Sequence, residues 1–210
     1  MTTPTVFVVD DDPGIRFGIS LLLETADLKA QCFAGAEEFL AACGAHPAGC
    51  LLLDVSMPGM SGPQLQDELL RRKIDLPIIF LTGYADMPTV VGAMRQGAID
   101  FLSKPVNGAL LLERVQGALE RYRLQHEAQT KRSLLLKRLH KLTSREREIL
   151  GHALSGKSNK HISADLNISF RTIEGHRARI YLKVGVASLL ELAQQAALAD
   201  VSLAGILAPS

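Results

Sequence analysis

Acidic residues stand at two places in the first half of the sequence where a hydrophobic run ends. Asp10-Asp11-Asp12 follows a β-branched and aromatic run, and Asp54 ends a run of three leucines shortly before proline and glycine residues. Adjacent carboxylates repel one another, and oxygen ligands of this kind bind hard divalent cations. A carboxylate can also accept a phosphoryl group. A lone aspartate would equally serve in a turn or a helix cap, so the interpretation depends on which residues lie beside Asp54.

Two further side chains with suitable chemistry follow hydrophobic runs. The hydroxyl residue Thr82 follows the run at residues 77–81, and Lys104 comes shortly after the run at residues 99–102. A hydroxyl and an ammonium could stabilise negative charge on a phosphoryl group accepted by Asp54, in a transfer that depends mainly on positioning and electrostatics. These residue types therefore indicate phosphoryl chemistry if the fold brings them together.

The elements that must position these side chains alternate between strands and helices. We predict strands at residues 5–9, 31–33, 51–54, 77–81 and 99–102, followed by helices at residues 15–23, 36–42, 63–72, from about 86 and from 108. This alternation is typical of an α/β fold with a doubly wound, five-stranded parallel sheet. In the strand order 2-1-3-4-5, Asp10 and Asp11 would meet Asp54 at the switch point. Three carboxylates there would repel unless a cation joined them, and Mg²⁺ is the cation that we expect.

The composition suits a folded protein with two kinds of partner. The 210 residues are 47% hydrophobic, which is enough for packed cores in one large or two small domains. Acidic residues outnumber basic ones in residues 1–106, and the reverse holds in residues 107–210, which indicates cations and nucleic acid as the respective partners. We find no membrane span or signal-peptide pattern and expect a cytoplasmic protein. The three cysteines lack the paired spacing of a zinc site.

The segment between the two halves favours a helix. From residue 108 apolar residues recur at helical spacing, and the chain has no glycine or proline between residues 122 and 151. We therefore place one domain at residues 1–120 and a linker at residues 121–140, with an extended helix to about residue 138. A flexible linker is the alternative, because the heptads are not sustained enough to establish a coiled coil.

Residues 141–210 have the pattern of a small, all-α helix-turn-helix domain. Thr143 and Glu146 form a capping-box pair that begins one helix, and helices at residues 158–166, 170–184 and 189–199 follow. A short helix, a tight turn and a longer helix are typical of DNA readers. The alternative is a solvated helix face that binds no DNA, because such a face would carry a similar density of charged residues. The predicted DNA-contacting residues are Lys157, Lys160, Arg171, Thr172, Glu174, His176, Arg177, Arg179 and Lys183.

The first part of the sequence, over about residues 4–120, resembles the receiver domain of two-component response regulators. The motifs that carry the resemblance are Asp10-Asp11, the loop from Met57 to Gly62 after Asp54, Thr82-Gly83, the stretch at residues 93–98 and Lys104-Pro105. The resemblance implies that a histidine kinase phosphorylates Asp54. The implied Mg²⁺ ligands are the carboxylates of Asp10, Asp11 and Asp54 and the backbone carbonyl of Ser56. Thr82 and Lys104 would contact the phosphoryl oxygens, and we expect the peptide bond before Pro105 to be cis.

The same resemblance implies a switch and a homodimer. Phe101 would rotate inward as Thr82 moves towards the phosphoryl group, although a core phenylalanine would look the same in the sequence. Similar receivers dimerise through the fourth helix and the fifth strand. The implied dimer face contains Val91, Met94, Arg95 and Asp100, with an Arg95–Asp100 pair between chains as a weak contact.

Residues 142–200 resemble the LuxR-type output domain of the NarL/FixJ regulators. The motifs are Leu142-Thr143-x-Arg145-Glu146, Gly156-x-Ser158-Asn159-Lys160 and Arg171-Thr172-Ile173-Glu174-x-His176-Arg177. The sequence departs from the family at Gly175, where relatives often have Val. This glycine costs roughly 1 kcal/mol of helix propensity relative to Ala. It also removes a side chain that could touch a thymine methyl group.

Over nearly its whole length the sequence resembles the FixJ branch of these regulators. The resemblance implies a phosphorylation-dependent transcriptional regulator that dimerises on promoter DNA, activates transcription and has RNA polymerase as a further partner. Such a protein is not an enzyme in the ordinary sense, because the receiver catalyses only its own phosphotransfer and dephosphorylation.

Two alternatives use the same residues differently. A haloacid-dehalogenase-like phosphatase would use Asp10 as its nucleophile, but that family has Thr or Val where this sequence has Gly14. A LuxR-type regulator whose first half senses a small molecule would leave the polar residues at the strand ends unexplained.

Overall fold

The chain folds as two compact units, Met1–Leu124 and Gln125–Ser210. The structure, a computed structural model, describes residues 3–44, 46–83 and 92–203. Within those ranges, no helix is both long and apolar enough to cross a membrane.

The first unit is built on a five-stranded sheet in which every pair of neighbouring strands is parallel. Its strands are β1 (Thr5–Val9), β2 (Ala30–Phe33), β3 (Gly49–Asp54), β4 (Ile78–Thr82) and β5 (Asp100–Ser103). Their order is β2-β1-β3-β4-β5, which confirms the predicted fold class and strand order. Every residue of β1, β3 and β4 is buried, because helices cover both faces of a doubly wound sheet. These three strands therefore appear in the sequence as continuous hydrophobic runs.

Helices pack on both faces of this sheet. They are α1 (Pro13–Thr25), α2 (Ala36–Ala42), α3 (Gly62–Arg71) and the first part of α4 (Gly108–Leu139). On one face Phe39 packs edge-on against Phe7 and Phe33, with ring centroids 5.6 and 5.3 Å away. On the other face Leu111 and Val115 of α4 are fully buried. Residues 92–95 are also helical, while the predicted start of that helix near residue 86 lies outside the described residues.

The end of α4 belongs to the core of the second unit. Leu135 and Leu139 are buried there together with residues of the helices that follow, and Arg132 donates a hydrogen bond to the carbonyl oxygen of Asp200 at 2.5 Å. The extended helix predicted from residue 108 to about residue 138 corresponds to α4. The domain limits at residues 120 and 140 stay a prediction, but residues 132–139 contribute directly to the packing of the second unit.

Four short helices follow α4 in the described part of the second unit, which ends at residue 203. They are α5 (Ser144–Leu154), α6 (Asn159–Asp165), α7 (Phe170–Val184) and α8 (Leu189–Leu198). The predicted capping box is present, since Thr143 accepts from the backbone of Glu146 and the Glu146 side chain accepts from the backbone of Thr143. α7 ends at Gly185, whose φ of 74° lies in the left-handed region that glycine adopts without strain. The helix-turn-helix arrangement predicted from the sequence is therefore confirmed.

Candidate metal centre and nucleic-acid interface

Three carboxylates meet at the carboxyl edge of the sheet in the first unit. Asp10, Asp11 and Asp54 each offer one oxygen, and these oxygens lie within 4.8 Å of one another. Asp10 and Asp54 are buried, whereas Asp11 is exposed. The meeting follows from the strand order, because β1 and β3 are neighbours and both end at this edge.

Local contacts hold the loop between β1 and α1 in place. Asp12 caps α1 by accepting hydrogen bonds from the backbone N–H groups of Gly14 and Ile15 at 2.7 and 3.3 Å. Arg16 donates to the carbonyl oxygen of Asp10 at 2.6 Å. Asp12, the third acid of the Asp run, is therefore a helix cap. The carboxylates of Asp10 and Asp11 belong to the cluster with Asp54.

A close backbone approach fixes the loop that follows Asp54. The backbone N–H of Gly62 donates to the carbonyl oxygen of Val55 at 3.0 Å. A Cβ atom on Gly62 would collide with the carbonyl oxygen of Asp54 and press on the ring of Phe80. The glycine at this position is therefore required by space.

Lys104 joins the two buried carboxylates. Its Nζ atom lies 2.8 Å from Oδ2 of Asp10 and 3.0 Å from Oδ1 of Asp54. The pairing of β5 with β4 places it there, since its backbone N–H donates to the carbonyl oxygen of Thr82 at 2.8 Å. The peptide bond between Lys104 and Pro105 is cis, as the sequence led us to expect.

The charges in this cluster shift one another's pKa values. Burial raises the pKa of the Asp54 carboxyl, and the charge of Asp10 adds to that rise against the opposing effects of Lys104 and the backbone N–H of Ser56. Burial opposes the charged form of Lys104, but the attraction of the two nearby carboxylates outweighs burial and raises its pKa. Lys104 therefore stays cationic at neutral pH, beside a carboxylate whose negative charge is held at some cost.

The residues present fit a divalent cation. The buried Oδ2 of Asp10 accepts no hydrogen bond within the described part of the chain, because Lys104 approaches it without hydrogen-bond geometry. Hard cations such as Mg²⁺ take carboxylate oxygens as ligands and usually retain water molecules. Two buried carboxylates and one exposed carboxylate supply such an all-oxygen set. Ser56 lies on the exposed loop two residues after Asp54.

The proposed switch residues lie beside this cluster. Thr82 is buried at the end of β4, and its hydroxyl donates to the carbonyl oxygen of Gly83 at 2.9 Å. Phe101 on β5 is 37% exposed, so its ring is turned out of the core in this structure. A core role for Phe101 is therefore excluded in this conformation.

The predicted dimer face is only partly described. Met94 is half-buried against the core, and Arg95 is exposed. Asp100 pairs within its own chain, with one oxygen 3.1 Å from Arg114. Val91 lies outside the described residues.

In the second unit, the predicted DNA-contacting residues fall into two groups. Lys160, Arg171 and Glu174 are exposed, and no ion pair or side-chain hydrogen bond holds them within the described residues. Thr172 is exposed too, with its hydroxyl 2.7 Å from that of Ser169. These residues, on α6 and at the start of α7, are the ones whose side chains are available to a partner.

The basic residues of the other group are engaged inside the unit. Arg177 donates to Asn159 on α6 at 2.6 Å and to the hydroxyl of Tyr181 at 2.7 Å, which ties α6 to α7. Lys183 lies 2.6 Å from the buried Glu146. The side chains of Arg177 and Lys183 are therefore not the free cations that the density of charge in the sequence indicated. Two surface residues complete the group, Lys157 paired with Asp165 at 2.7 Å and Arg179 bonded to the carbonyl of Gly175 at 3.2 Å.

His176 is half-buried between these two groups. Burial and the neighbouring Arg179 lower its pKa below the usual range, so the imidazole is neutral at neutral pH. It therefore adds no positive charge to the surface of α7.

Sequence reasoning missed two arginines that shape this unit. Arg145 donates to the carbonyl oxygen of Leu166 at 3.0 Å, which satisfies the end of α6. Arg138 donates to the carbonyl oxygen of Val184 at 3.2 Å, at the end of α7. Only a chain that has already folded brings these partners together, so no local pattern could have indicated them.

Comparison with known proteins accounts for both units. Residues 6–116 match the response regulator receiver domain, and residues 140–196 match the bacterial regulatory proteins of the luxR family. The chain therefore belongs to the response regulators that carry a LuxR-type DNA-binding domain.

Individual relatives resemble the chain over nearly its whole length. It is 40% identical over 197 residues to the transcriptional regulatory protein FixJ of Azorhizobium caulinodans, which covers 94% of this chain and 93% of that protein. It is 41% identical over 188 residues to the transcriptional regulatory protein TdiR of Thauera aromatica, covering 90% and 83%. The solved structure of the response regulator StyR matches with a TM-score of 0.88 at 37% identity and covers 93% of this chain and 99% of that one.

The chain is accordingly a phosphorylation-dependent transcriptional regulator of a two-component system. Its receiver implies a histidine kinase as partner, and its LuxR-type domain implies DNA. The phosphatase and the small-molecule sensor are not retained, because the receiver match occupies the residues that either alternative requires.

Proposed function

We propose that Asp54 accepts the phosphoryl group and that Asp10, Asp11 and Lys104 prepare it to do so. The observation that carries the proposal is the position of the Asp54 carboxylate, within 4.8 Å of two other carboxylates and 3.0 Å from the Lys104 ammonium. Burial of Asp54 excludes much of the water that would otherwise surround the reacting oxygen.

In the proposed transfer, an oxygen of Asp54 attacks phosphorus while the bond to the phosphohistidine nitrogen breaks and that nitrogen keeps the electron pair. Mg²⁺ bound by Asp10, Asp11, Asp54 and the Ser56 carbonyl would offset repulsion between the carboxylates and the phosphoryl oxygens. Lys104 then donates to a phosphoryl oxygen instead of to Asp54. Water later hydrolyses the acyl phosphate, which restores the carboxylate and releases inorganic phosphate.

We expect the side chains of Thr82 and Phe101 to move when Asp54 is phosphorylated and so to change the conformation of the receiver. The Thr82 hydroxyl now donates to a neighbouring carbonyl, a bond that it can exchange for one to a phosphoryl oxygen by rotation about one side-chain bond. The space vacated by that rotation would then accept the exposed ring of Phe101.

Intact mass spectrometry tests the phosphoacceptor. The wild type, incubated with Mg²⁺ and a small acyl phosphate, should gain one phosphoryl group, and Asp54→Ala should gain none. Asp67→Asn is the matched control, because Asp67 is an exposed acid on α3 outside the cluster. Equal modification of Asp54→Ala would remove Asp54 from the proposal.

We propose that the kinase approaches along α1. Phe17 is 72% exposed and Leu21 is exposed one turn later, so α1 presents an apolar patch on the element that follows the acidic loop. Phe17→Ala should slow phosphotransfer from the kinase and leave phosphorylation by the acyl phosphate unchanged. An equal loss in both reactions would place the defect in the site itself.

Phosphorylation is proposed to favour a homodimer through the face that contains Val91, Met94, Arg95 and Asp100. Asp100 is only half-buried and its bond to Arg114 is at the surface, so it can exchange that partner for Arg95 of a second chain. Arg95→Asp should lower the molar mass of the phosphorylated protein in solution, and the added change Asp100→Arg should restore it. If both variants dimerise like the wild type, the pair is not part of the interface.

The paired output domains are proposed to bind promoter DNA in the cytoplasm and to activate transcription, with RNA polymerase as a further partner. The exposed cations Lys160 and Arg171 support phosphate contact by α6 and α7. Transcription from the bound promoter, measured with and without phosphorylation, separates activation from repression.

A further inference from the structure

Glu174 differs from the other acidic residues in the described part of the second unit. It is exposed on α7, and neither an ion pair nor a hydrogen bond of its side chain is found among residues 125–203. The other acids in that range all have internal partners: Glu127, Glu146, Glu148, Asp165, Glu191 and Asp200. A carboxylate left unpartnered in a unit rich in basic residues is available to a molecule outside it.

The surroundings of Glu174 leave it room to reach a partner. Arg171 and Ala178 are exposed at spacings of three and four residues from Glu174, which places them on the same side of the helix, and the next residue, Gly175, is exposed too. A Cβ atom built on Gly175 meets nothing within 4 Å. Because Gly175 and Ala178 are small, the axis of α7 can approach a surface closely at the level of Glu174.

DNA repels a carboxylate unless a specific hydrogen bond compensates. In the major groove, guanine presents two acceptors and thymine one, so both disfavour Glu. Adenine places its N6 donor beside the N7 acceptor, which repels the second carboxylate oxygen. Cytosine presents the N4 amino group as its donor in this groove, which is the group that Glu accepts from.

We propose that Glu174 accepts a hydrogen bond from the N4 amino group of a cytosine and so selects a C·G pair at one position of each half-site. The inference rests on the proposed contact between α7 and DNA. Glu174 is then a specificity-determining residue, whose charge weakens binding to every other base and to non-specific DNA.

The test compares base preferences of full-length variants. The phosphorylated wild type selects its preferred duplex from a random-sequence pool, and affinities are measured for duplexes that carry each of the four base pairs at each position. The variants are Glu174→Gln and Glu174→Ala. Glu148→Gln is the matched control, because it removes the same charge from an exposed acid on α5.

We expect the wild type to prefer cytosine at one position by about 5- to 150-fold, the range of a good base contact. Glu174→Gln should move that preference to adenine, since an amide can both donate to N7 and accept from N6. Glu174→Ala should abolish the discrimination, and Glu148→Gln should keep the wild-type profile.

Two results would overturn the inference in different ways. If the wild type binds a specific sequence and both Glu174 variants keep its base profile, with a uniform gain in affinity like that of Glu148→Gln, Glu174 acts only through its charge. If the wild type binds no duplex more tightly than the pool, the proposed contact of α7 with DNA fails together with the inference.

Discussion

The ammonium of Lys104 lies 3.0 Å from Oδ1 of Asp54, so the carboxylate proposed to accept the phosphoryl group already has a cationic partner. The same ammonium is 2.8 Å from Asp10, and its side chain is one-fifth exposed while that of Asp10 is fully buried. Removing Lys104 would leave two buried or nearly buried carboxylates facing each other, which an interior tolerates poorly.

We expect Lys104→Met to lower the free energy of unfolding by about 1–3 kcal/mol, less than for a fully buried pair because Lys104 is partly exposed. Mg²⁺ should stabilise the variant more than the wild type, since the uncompensated carboxylates then bind the cation without a competing ammonium. Urea unfolding with and without Mg²⁺ measures both effects. Lys29→Met, a change of an exposed lysine away from the cluster, is the control. The same response to Mg²⁺ in both variants would contradict the assigned cation site.

The pair formed by the buried Glu146 and the partly exposed Lys183 predicts a pH dependence in the second unit. Burial alone would raise the pKa of Glu146, but hydrogen bonds from Lys183 and Thr143 outweigh it and lower the pKa below its ordinary value of 4.5. A lowered pKa in the folded state stabilises the fold above the unfolded value, and this stabilisation is lost as pH falls through the folded value.

Glu146→Gln should therefore cost about 1.5–3 kcal/mol near neutral pH, the range for a hydrogen bond to a charged group. It should also make the stability of α5 and α7 less sensitive to pH below about 4.5. Hydrogen exchange of the backbone amides in these two helices, measured between neutral and acidic pH, tests both expectations. If the stability of these helices depends on pH equally in the wild type and the variant, Glu146 is not the group that causes the pH dependence.

Two glycines of α7 and its cap should respond oppositely to the same substitution. Gly175→Ala should stabilise the unit by roughly 1 kcal/mol, because the added methyl group meets no neighbour and alanine favours a helix. Gly185→Ala should destabilise it by about 1 kcal/mol or more, because φ is 74° and the new Cβ would lie 3.0 Å from Arg138. Thermal unfolding of the two variants against the wild type gives the signs. Destabilisation by Gly175→Ala would mean that the helix is crowded there.

Lysines that are free and lysines that are paired should differ in their effect on DNA binding. Lys160→Ala should reduce the slope of log affinity against log salt by about 1, since each phosphate contact releases counterions. Arg171→Ala should do the same if it contacts a phosphate, and it should change base preference if it contacts a base. Lys183→Ala should leave the slope unchanged and lower stability, because its ammonium is held by Glu146. A reduced slope for Lys183→Ala would show that it leaves Glu146 to bind DNA.

Local patterns in the sequence were enough for the strands and helices of the described residues, apart from the start of the helix near residue 86, which lies outside them. The helix predicted at residues 170–184 coincides with α7, and the strand predicted at residues 5–9 coincides with β1. Hydrophobic spacing, capping residues and glycine positions act over a few residues, so they are readable without the fold. The alternation of strands and helices then restricted the topology enough to predict that Asp10, Asp11 and Asp54 would meet.

The sequence by itself thus determined the elements, the strand order and the acidic cluster of this response regulator. Tertiary structure alone decided which charged side chains remain free. Arg177 and Lys183 appeared to be DNA contacts in the sequence, yet their partners Asn159 and Glu146 stand 18 and 37 residues away and meet them only in the folded unit. Whether two charged side chains pair depends on the distance between them in the folded unit. Packing sets that distance, so a local pattern of residue types cannot predict the pair.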